Sequence, residues 1–333
     1  MTRIAVIGDG QMGLVLADSL VVRGMDVRLW GPFPESVKEL SSSRSSPRLP
    51  TFTLPDEVEV VTEIDVLFDG TEVAINAIPT QYVRKVWSSL AHVIPTGIPI
   101  ASVAKGIEIE TLLLPTQILT EVVGASSPTC VLSGPTIATE LVERKPAAMV
   151  ASSTDHDVAM LFQDLFDVPW IRIYTHGDPL GVELAGATKN VIAIAAGICD
   201  GMKLGDNAKS AMLARGLAEI SRLGVALGAK LETFFGIAGV GDLATTCFSP
   251  HGRNRTCGER LGRGEALEEI QQTTGSVIEG VPTTRAVRQL ALDNNVDMPI
   301  SQAMYNVMFE GLPIEQAISS LMSRDQKAEH LGR

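Results

Sequence analysis

The apolar positions of this chain change their period once. Through the first half, short β-branched or small apolar runs recur at Ile4–Ile7, Val27–Trp30, Glu72–Ile78, Ile98–Val103, Cys130–Leu132, Ala147–Ala151 and Trp170–Tyr174. Segments with helical spacing stand between them: Leu14 to Val21, Gln81 to Leu90 and Asp155 to Phe166. Near-continuous apolar strands alternating with amphipathic helices predict a parallel sheet covered on both faces. From Pro179 onward no strand pattern returns, and helical periodicity runs through 181–200, 208–227, 265–273, 283–293 and 301–309. The pattern predicts an α/β domain over residues 1–177, a doubly wound sheet, followed by an all-helical domain over 178–333. A length of 333 residues suits two cores, since single cores stop growing at roughly 250–300 residues.

The segment 181–200 is the most apolar of these. Val182, Leu184, Val191, Ile192, Ile194 and Ile198, padded with Ala and Gly, leave no wide polar face, so the helix is expected to lie buried between layers. Lys189 and Asn190 interrupt it. The neighbours of Lys189 at three and four residues are Gly186, Ala185, Ile192 and Ala193, so a counter-charge has to arrive from elsewhere in the chain. The alternative is an amine that snorkels to water from a half-buried helix.

At the N-terminus the first strand runs into Gly8-Asp9-Gly10-Gln11-Met12-Gly13 and then a helix. Strand, G-x-G-x-x-G and helix form the Rossmann-like dinucleotide fingerprint: Gly8 for the tight turn, Gly10 for approach of a pyrophosphate, Gly13 for close helix–strand packing. The second strand ends in Gly31-Pro32-Phe33-Pro34, where an NAD-specific protein carries an acid for the adenosine ribose. That leaves NAD and NADP both admissible. Arg44 or Arg48, in the serine-rich segment SSSRSSPRLP, could reach a 2′-phosphate; an ordinary solvated loop is the alternative. Ligands of doubly wound sheets bind at the carboxyl ends of the strands, which is where Lys105 follows the strand 98–103. Ser133-Gly134-Pro135-Thr136 opens the next helix, either as ordinary capping or with its amides presented to a ligand.

Charge and cysteine content narrow the partners. A net charge of -12 argues against nucleic acid and anionic lipid, so an anionic ligand needs a local positive patch. The stretch after Leu243 up to Gly258 has no acidic residue and carries Arg253 and Arg255 beside His251 and Gly252. Arginine forks match phosphate oxygens, and we expect that patch here, with an unliganded surface arginine loop as the alternative. Asp242 follows Gly239-Val240-Gly241, either placed by a glycine turn or acting as an N-cap. Cys130, Cys199, Cys247 and Cys257 are widely spaced and the five histidines lack ligand spacing, which predicts free thiols and no metal. The first apolar run is too short for a signal peptide, and the longest, Val191–Cys199, is too short to span a bilayer, so a cytoplasmic protein without membrane insertion is expected.

VIGDGQMG, ASVAKGIE, LSGPTIATEL, GVELAGATKNVIAIAAGICDGM, GVGDLATTC, GRNR and VIEG, in this order, make the chain resemble the glycerol-3-phosphate dehydrogenase family, specifically its bacterial soluble NAD(P)-dependent form. The resemblance spans essentially the whole chain. It implies a Rossmann-like domain and a helical domain, interconversion of dihydroxyacetone phosphate and sn-glycerol 3-phosphate with NAD or NADP, a supply of backbone for glycerophospholipids, and a homodimer. It implies that Lys189 is the proton donor or acceptor, with Lys105 and Asp242 beside the substrate. It further implies substrate contacts from Gly134, Thr136, Asn190, Thr246, Gly252, Arg253 and Asn254. Cofactor contacts are implied for Gly8, Gly10, Gln11, Met12, Gly13, Pro32, Lys105, Ala138, Arg253, Val277 and Glu279. The chain departs from the family at Gly252, where relatives often have serine, and at Pro32, where they often have a basic or polar residue. Two other readings remain: a related dehydrogenase that places a substrate carboxylate on Arg253, and a catalytically idle dinucleotide sensor. A sensor needs no buried proton donor, which counts against it.

Overall fold

Strand β1 (Arg3–Ile7) is buried along its length after Arg3 and lies at the middle of the first unit's sheet. It pairs in parallel with β2 (Asp26–Trp30) on one side and β4 (Val73–Asn76) on the other. The computed structural model describes residues 2–326 and 328–329. Its eight strands, completed by β3 (Val58–Val60), β5 (Ile100–Ser102), β6 (Thr129–Ser133), β7 (Ala147–Ser152) and β8 (Ile171–His176), run in the order β3-β2-β1-β4-β5-β6-β7-β8. Order reverses at β1, the switch point of a doubly wound sheet. All neighbours are parallel except β6 and β7, an antiparallel pair that matches Val131 to Ser152.

Helices α1 (Gln11–Val22), α2 (Pro34–Ser43), α3 (Ile64–Leu67), α4 (Thr80–Leu90), α5 (Pro115–Val123), α6 (Ala138–Val142) and α7 (His156–Leu165) accompany this sheet. The serine-rich segment read as a loop is partly helix: α2 takes its first serines, and Arg44 ends it in the left-handed region at φ 56°. Pro34 at the first helical position favours that start, a signal that the serines masked. Strands β3 and the helix α5 also escaped the pattern, because three residues of alternation and a nine-residue run are short windows for either period.

The chain divides into two compact units, residues 1–104 with 115–179 and residues 105–114 with 180–333. The excursion Lys105–Leu114 leaves the end of β5 and packs with the helical unit, which the pattern did not anticipate because those ten residues carry no periodicity. The second unit holds α8 (Pro179–Gly201), α9 (Asp206–Ala226), α10 (Asp242–Phe248), α11 (Arg253–Gly262), α12 (Leu267–Thr273), α13 (Gly280–Asp293), α14 (Pro299–Phe309) and α15 (Ile314–Met322). No strand occurs after His176 among the described residues.

Helix α8 is the axis of this unit. It is long and apolar enough to cross a membrane, yet its apolar window is 100% buried, so it is a core helix. Glycines allow α11 to approach it at backbone distance. A Cβ on Gly258 would stand 1.9 Å from the Ile194 carbonyl oxygen, and one on Gly197 would stand 2.0 Å from the Arg255 carbonyl oxygen. Gly201 and Gly262 repeat the arrangement one turn further along. Small residues four apart on both helices thus set how the start of α11 is held against α8. The segment RNRTCGERLG, which the helical periodicity passed over and whose start was expected to form a positive patch, is this helix; its polar composition and two glycines conceal it from propensity and periodicity alike.

Candidate functional site

Lys189 sits near the middle of α8, and only 6% of its side chain is exposed. Its Nζ lies 3.0 Å from Asp242 Oδ1 and donates to Thr246 Oγ1, both on α10. The counter-charge that α8 lacks therefore comes from another helix, and the amine does not snorkel to water. Burial of an ammonium costs several kcal/mol unless it is paired, and apolar neighbours such as Val191 and Ile194 stabilise by ~1.5–3 kcal/mol each on burial, enough to offset it. Desolvation lowers the Lys189 pKa from the usual lysine range to about 8, against the pull of Asp242; the nearby Lys105 cation lowers it further.

Asp242 is the first residue of α10, which continues from a π-helical turn over Ile237–Gly241. Gly239 is needed there, since a Cβ would fall 2.1 Å from the Phe234 carbonyl oxygen. The N-cap position is held by Gly241 and not by the aspartate. Its second oxygen, Oδ2, lies 2.6 Å from Lys105 Nζ, so one carboxylate bridges two lysines. Thr246 Oγ1 donates back to the Asp242 carbonyl oxygen at 2.7 Å, which fixes the hydroxyl beside Lys189.

Asn190, the next residue, enters a chain of amides. Its Nδ2 donates to the Lys105 carbonyl oxygen at 2.9 Å, its Oδ1 accepts from Asn254 Nδ2 at 2.8 Å, and Asn254 Oδ1 accepts from the Gly280 amide at 2.9 Å. This chain ties the excursion after β5 and the starts of α11 and α13 to α8. Gly280 has no room for a side chain, because a Cβ would lie 2.7 Å from the Asn190 carbonyl oxygen.

Arg253 is the first residue of α11 and is exposed, with Gly252 as N-cap and no side-chain cap bond. The fold crowds its guanidinium enough to lower its pKa through desolvation, and Glu279 opposes that shift. Arg255 does not contribute to a free positive patch. It faces Asp200 at 2.7 Å and Glu259 at 3.2 Å, and Lys209 shares Asp200 at 2.7 Å. The expected two-arginine patch therefore reduces to Arg253.

In the first unit, the turn between β1 and α1 has the shape its glycines suggest. Gly8 has φ 126°, a Cβ on Gly13 would lie 1.7 Å from the Gly8 carbonyl oxygen, and Gly10 faces open space. Gln11 donates from Nε2 to the Arg48 carbonyl oxygen at 2.6 Å, and Met12 packs on the core. Pro32 follows the end of β2; Gly134, at φ 149°, and Thr136, whose hydroxyl donates to the Gly134 carbonyl oxygen at 3.1 Å, precede α6 and its first residue Ala138.

Residues 3–159 match the family described as NAD-dependent glycerol-3-phosphate dehydrogenase N-terminus, and residues 178–319 match the corresponding C-terminus. The chain belongs to the glycerol-3-phosphate dehydrogenase family. A glycerol-3-phosphate dehydrogenase [NAD(P)+] of Staphylococcus haemolyticus is 42% identical over 332 residues, covering 99% of this chain and 100% of the relative. One from Chlorobium phaeobacteroides is 43% identical over 330 residues, covering 98% and 99%. The crystal structure of glycerol-3-phosphate dehydrogenase from Coxiella burnetii superposes with a TM-score of 0.93 at 33% identity, covering 97% of this chain and 99% of that one.

Of the residues that the family resemblance singled out, Lys105, Lys189, Asn190, Asp242, Thr246 and Asn254 form one connected polar network in the helical unit. Gly252, Arg253, Val277 and Glu279 belong to the same unit, with Arg253 and Glu279 electrostatically coupled. The others lie in the first unit. Asp200 was missed, although it lies on the same helix as Lys189 and was the nearest acid on α8 to the Arg255 segment.

Proposed function

We propose that this chain interconverts dihydroxyacetone phosphate and sn-glycerol 3-phosphate with a nicotinamide dinucleotide, and that Lys189 is the group that moves the proton. The supporting observation is the buried Lys189–Asp242–Lys105 array, with Asp242 oxygens 3.0 Å and 2.6 Å from the two amines. The dinucleotide, when bound, supplies or removes a hydride at C2 of the three-carbon substrate. The glycine turn suits its pyrophosphate: open space at Gly10 and the unoccupied first-turn amides of α1 offer donors to an anion.

In the reducing direction Lys189 Nζ gives a proton to the C2 oxygen as negative charge grows there. A pKa of about 8 keeps the amine mostly protonated near neutrality while leaving it able to release the proton, the balance a general acid needs. Its positive charge also stabilises the oxygen before the proton moves, in a site where little water screens it. Asp242 orients the ammonium, Thr246 fixes it from a second side, and Asn190 holds the backbone of Lys105 in place. Arg253, exposed at the start of α11 with that helix's first amides, receives the substrate phosphate and so positions the carbonyl. The reading includes a cytoplasmic homodimer that feeds glycerophospholipid synthesis, which rests on the family resemblance.

The test is oxidation of the reduced dinucleotide by the purified chain, followed by absorbance, with dihydroxyacetone phosphate and with carboxylated 2-ketones in parallel. Turnover with the phosphorylated ketone alone is expected. Turnover with a 2-keto acid and none with dihydroxyacetone phosphate would reassign Arg253 to a carboxylate and overturn the proposal.

A further inference from the structure

Strand β2 ends without an acid, but the place an acid would occupy is not without a carboxylate. Asp9, between the first two glycines of the turn, is 5% exposed, and its Oδ1 lies 2.5 Å from where a Cβ of Gly31 would stand. Gly31 follows directly on Trp30, the last residue of β2, and the Gly8 amide donates to the Trp30 carbonyl oxygen at 2.7 Å. The aspartate of the glycine turn thus brings its carboxylate to the carboxyl end of β2, where NAD-specific folds of this kind bind the adenosine ribose 2′-hydroxyl.

The cations nearby are already engaged. Arg48 Nη1 lies 3.0 Å from Asp9 Oδ2 and 3.0 Å from Ser36 Oγ, and the Ser36 hydroxyl donates to the same Oδ2 at 2.6 Å. Arg44 donates to the Pro55 and Val58 carbonyl oxygens, the latter at 2.9 Å, so it does not face this point. Pro32 and Phe33 carry no charge. Asp9 Oδ1 accepts no hydrogen bond from any described residue, and it is the oxygen at the Gly31 backbone.

The geometry assigns Asp9 as the residue that selects NAD(H) against NADP(H) in this chain, with Ser36 and Arg48 holding its carboxylate in place. A ribose 2′-hydroxyl donates to Asp9 Oδ1. A 2′-phosphate there meets a buried carboxylate whose partner Arg48 is already engaged, and like charges within hydrogen-bonding range repel. The assignment rests on reading the glycine turn as the dinucleotide site.

The test uses the full chain and two fragments that lack the nicotinamide, ADP-ribose and 2′-phospho-ADP-ribose, titrated by calorimetry, so it reads the ribose end without turnover. The wild-type chain is expected to bind ADP-ribose about tenfold or more tighter, the scale of one hydrogen bond to a charged group. Asp9→Asn keeps the shape and removes the charge, and is expected to erase most of that ratio; Asp9→Ala, with its melting temperature measured alongside, is the second variant. Tighter or equal binding of 2′-phospho-ADP-ribose by the wild type, or an unchanged ratio in a folded Asp9 variant, overturns the inference while the dinucleotide reading stands. Binding of neither fragment overturns both.

Discussion

Lys189 Nζ and Asp242 Oδ1 lie 3.0 Å apart, and that contact joins the middle of the buried helix α8 to the first residue of α10. It explains how an ammonium can be 6% exposed and still charged near neutrality. Desolvation alone would favour the neutral amine; the carboxylate restores much of what burial removes, and Lys105 on the other oxygen takes part of it back. The outcome is an ammonium whose pKa, lowered by burial to about 8, is tuned by two neighbours with opposite effects.

Replacing Lys189 by Met keeps the volume and removes the proton. Reduction of dihydroxyacetone phosphate is expected to fall by about 10²–10⁴ in kcat, the usual contribution of a positioned acid, with dinucleotide affinity unchanged. Steady-state kinetics with a binding titration checks both, and turnover within a few fold of the wild type would remove Lys189 from the reaction.

The direction of pH dependence follows from the same group. Carbonyl reduction needs the protonated amine, so its kcat/KM is expected to fall as pH rises through about 8, whereas alcohol oxidation needs the neutral amine and rises through the same value. Lys105 lowers the Lys189 pKa, so Lys105→Met is expected to move the inflection upward. A profile flat on both sides of that pH in both directions would contradict the assignment.

Arg253→Ala shortens an exposed residue at the start of α11 without opening a core cavity. A charge-assisted contact contributes about 1.5–3 kcal/mol, so the KM for the phosphorylated ketone is expected to rise roughly tenfold to a hundredfold with a smaller change in kcat. Arg253→Lys should recover only part of this, because an ammonium lacks the planar fork. An unchanged KM in the alanine variant would free Arg253 from the substrate.

Much of this is legible in the amino-acid sequence. Strand, glycine turn and helix announced the first unit, and an unpaired lysine in an apolar helix announced that a carboxylate had to come from elsewhere. Periodicity did not say which carboxylate, because the distance from residue 189 to 242 along the chain is closed only by tertiary packing; only the family resemblance put Asp242 beside Lys189. The start of α11 was misread for a related reason. Its glycines are poor helix formers in isolation, yet Gly258 is what lets the backbone stand against Ile194, so packing overrides propensity there. Arg255 looked like half of a positive patch because Asp200, its partner, lies 55 residues earlier.

Gly258→Ala tests that packing. Its methyl group would fall 1.9 Å from the Ile194 carbonyl oxygen, a backbone atom that cannot swing aside. Overpacking of this kind costs typically ~1–3 kcal/mol, so a lower melting temperature is expected. Because α11 must shift to make room, the KM for the phosphorylated ketone should rise as well. A variant with wild-type stability would show that α8 and α11 do not meet at this distance.

Glu219 supplies a prediction about stability that is independent of the active site. From α9 its buried carboxyl reaches the start of α14, where Oε1 accepts from the Ile300 amide at 2.7 Å and Oε2 from the Ser301 amide at 3.2 Å. Burial raises its pKa to about 7, the two amides and Arg222 opposing the shift. The sign follows from proton counting: between the ordinary glutamate range and about 7 the folded chain binds the proton and the unfolded chain does not, so stability falls as pH rises through that window. A shift of this size corresponds to roughly 3–4 kcal/mol at about 1.36 kcal/mol per unit. Chemical denaturation at pH 5 and pH 7.5 should therefore show a loss in the wild type that is absent in Glu219→Gln, which cannot titrate. Identical pH dependence in the two proteins would show that Glu219 stays ionised in the fold, with the helix-terminal amides outweighing its burial.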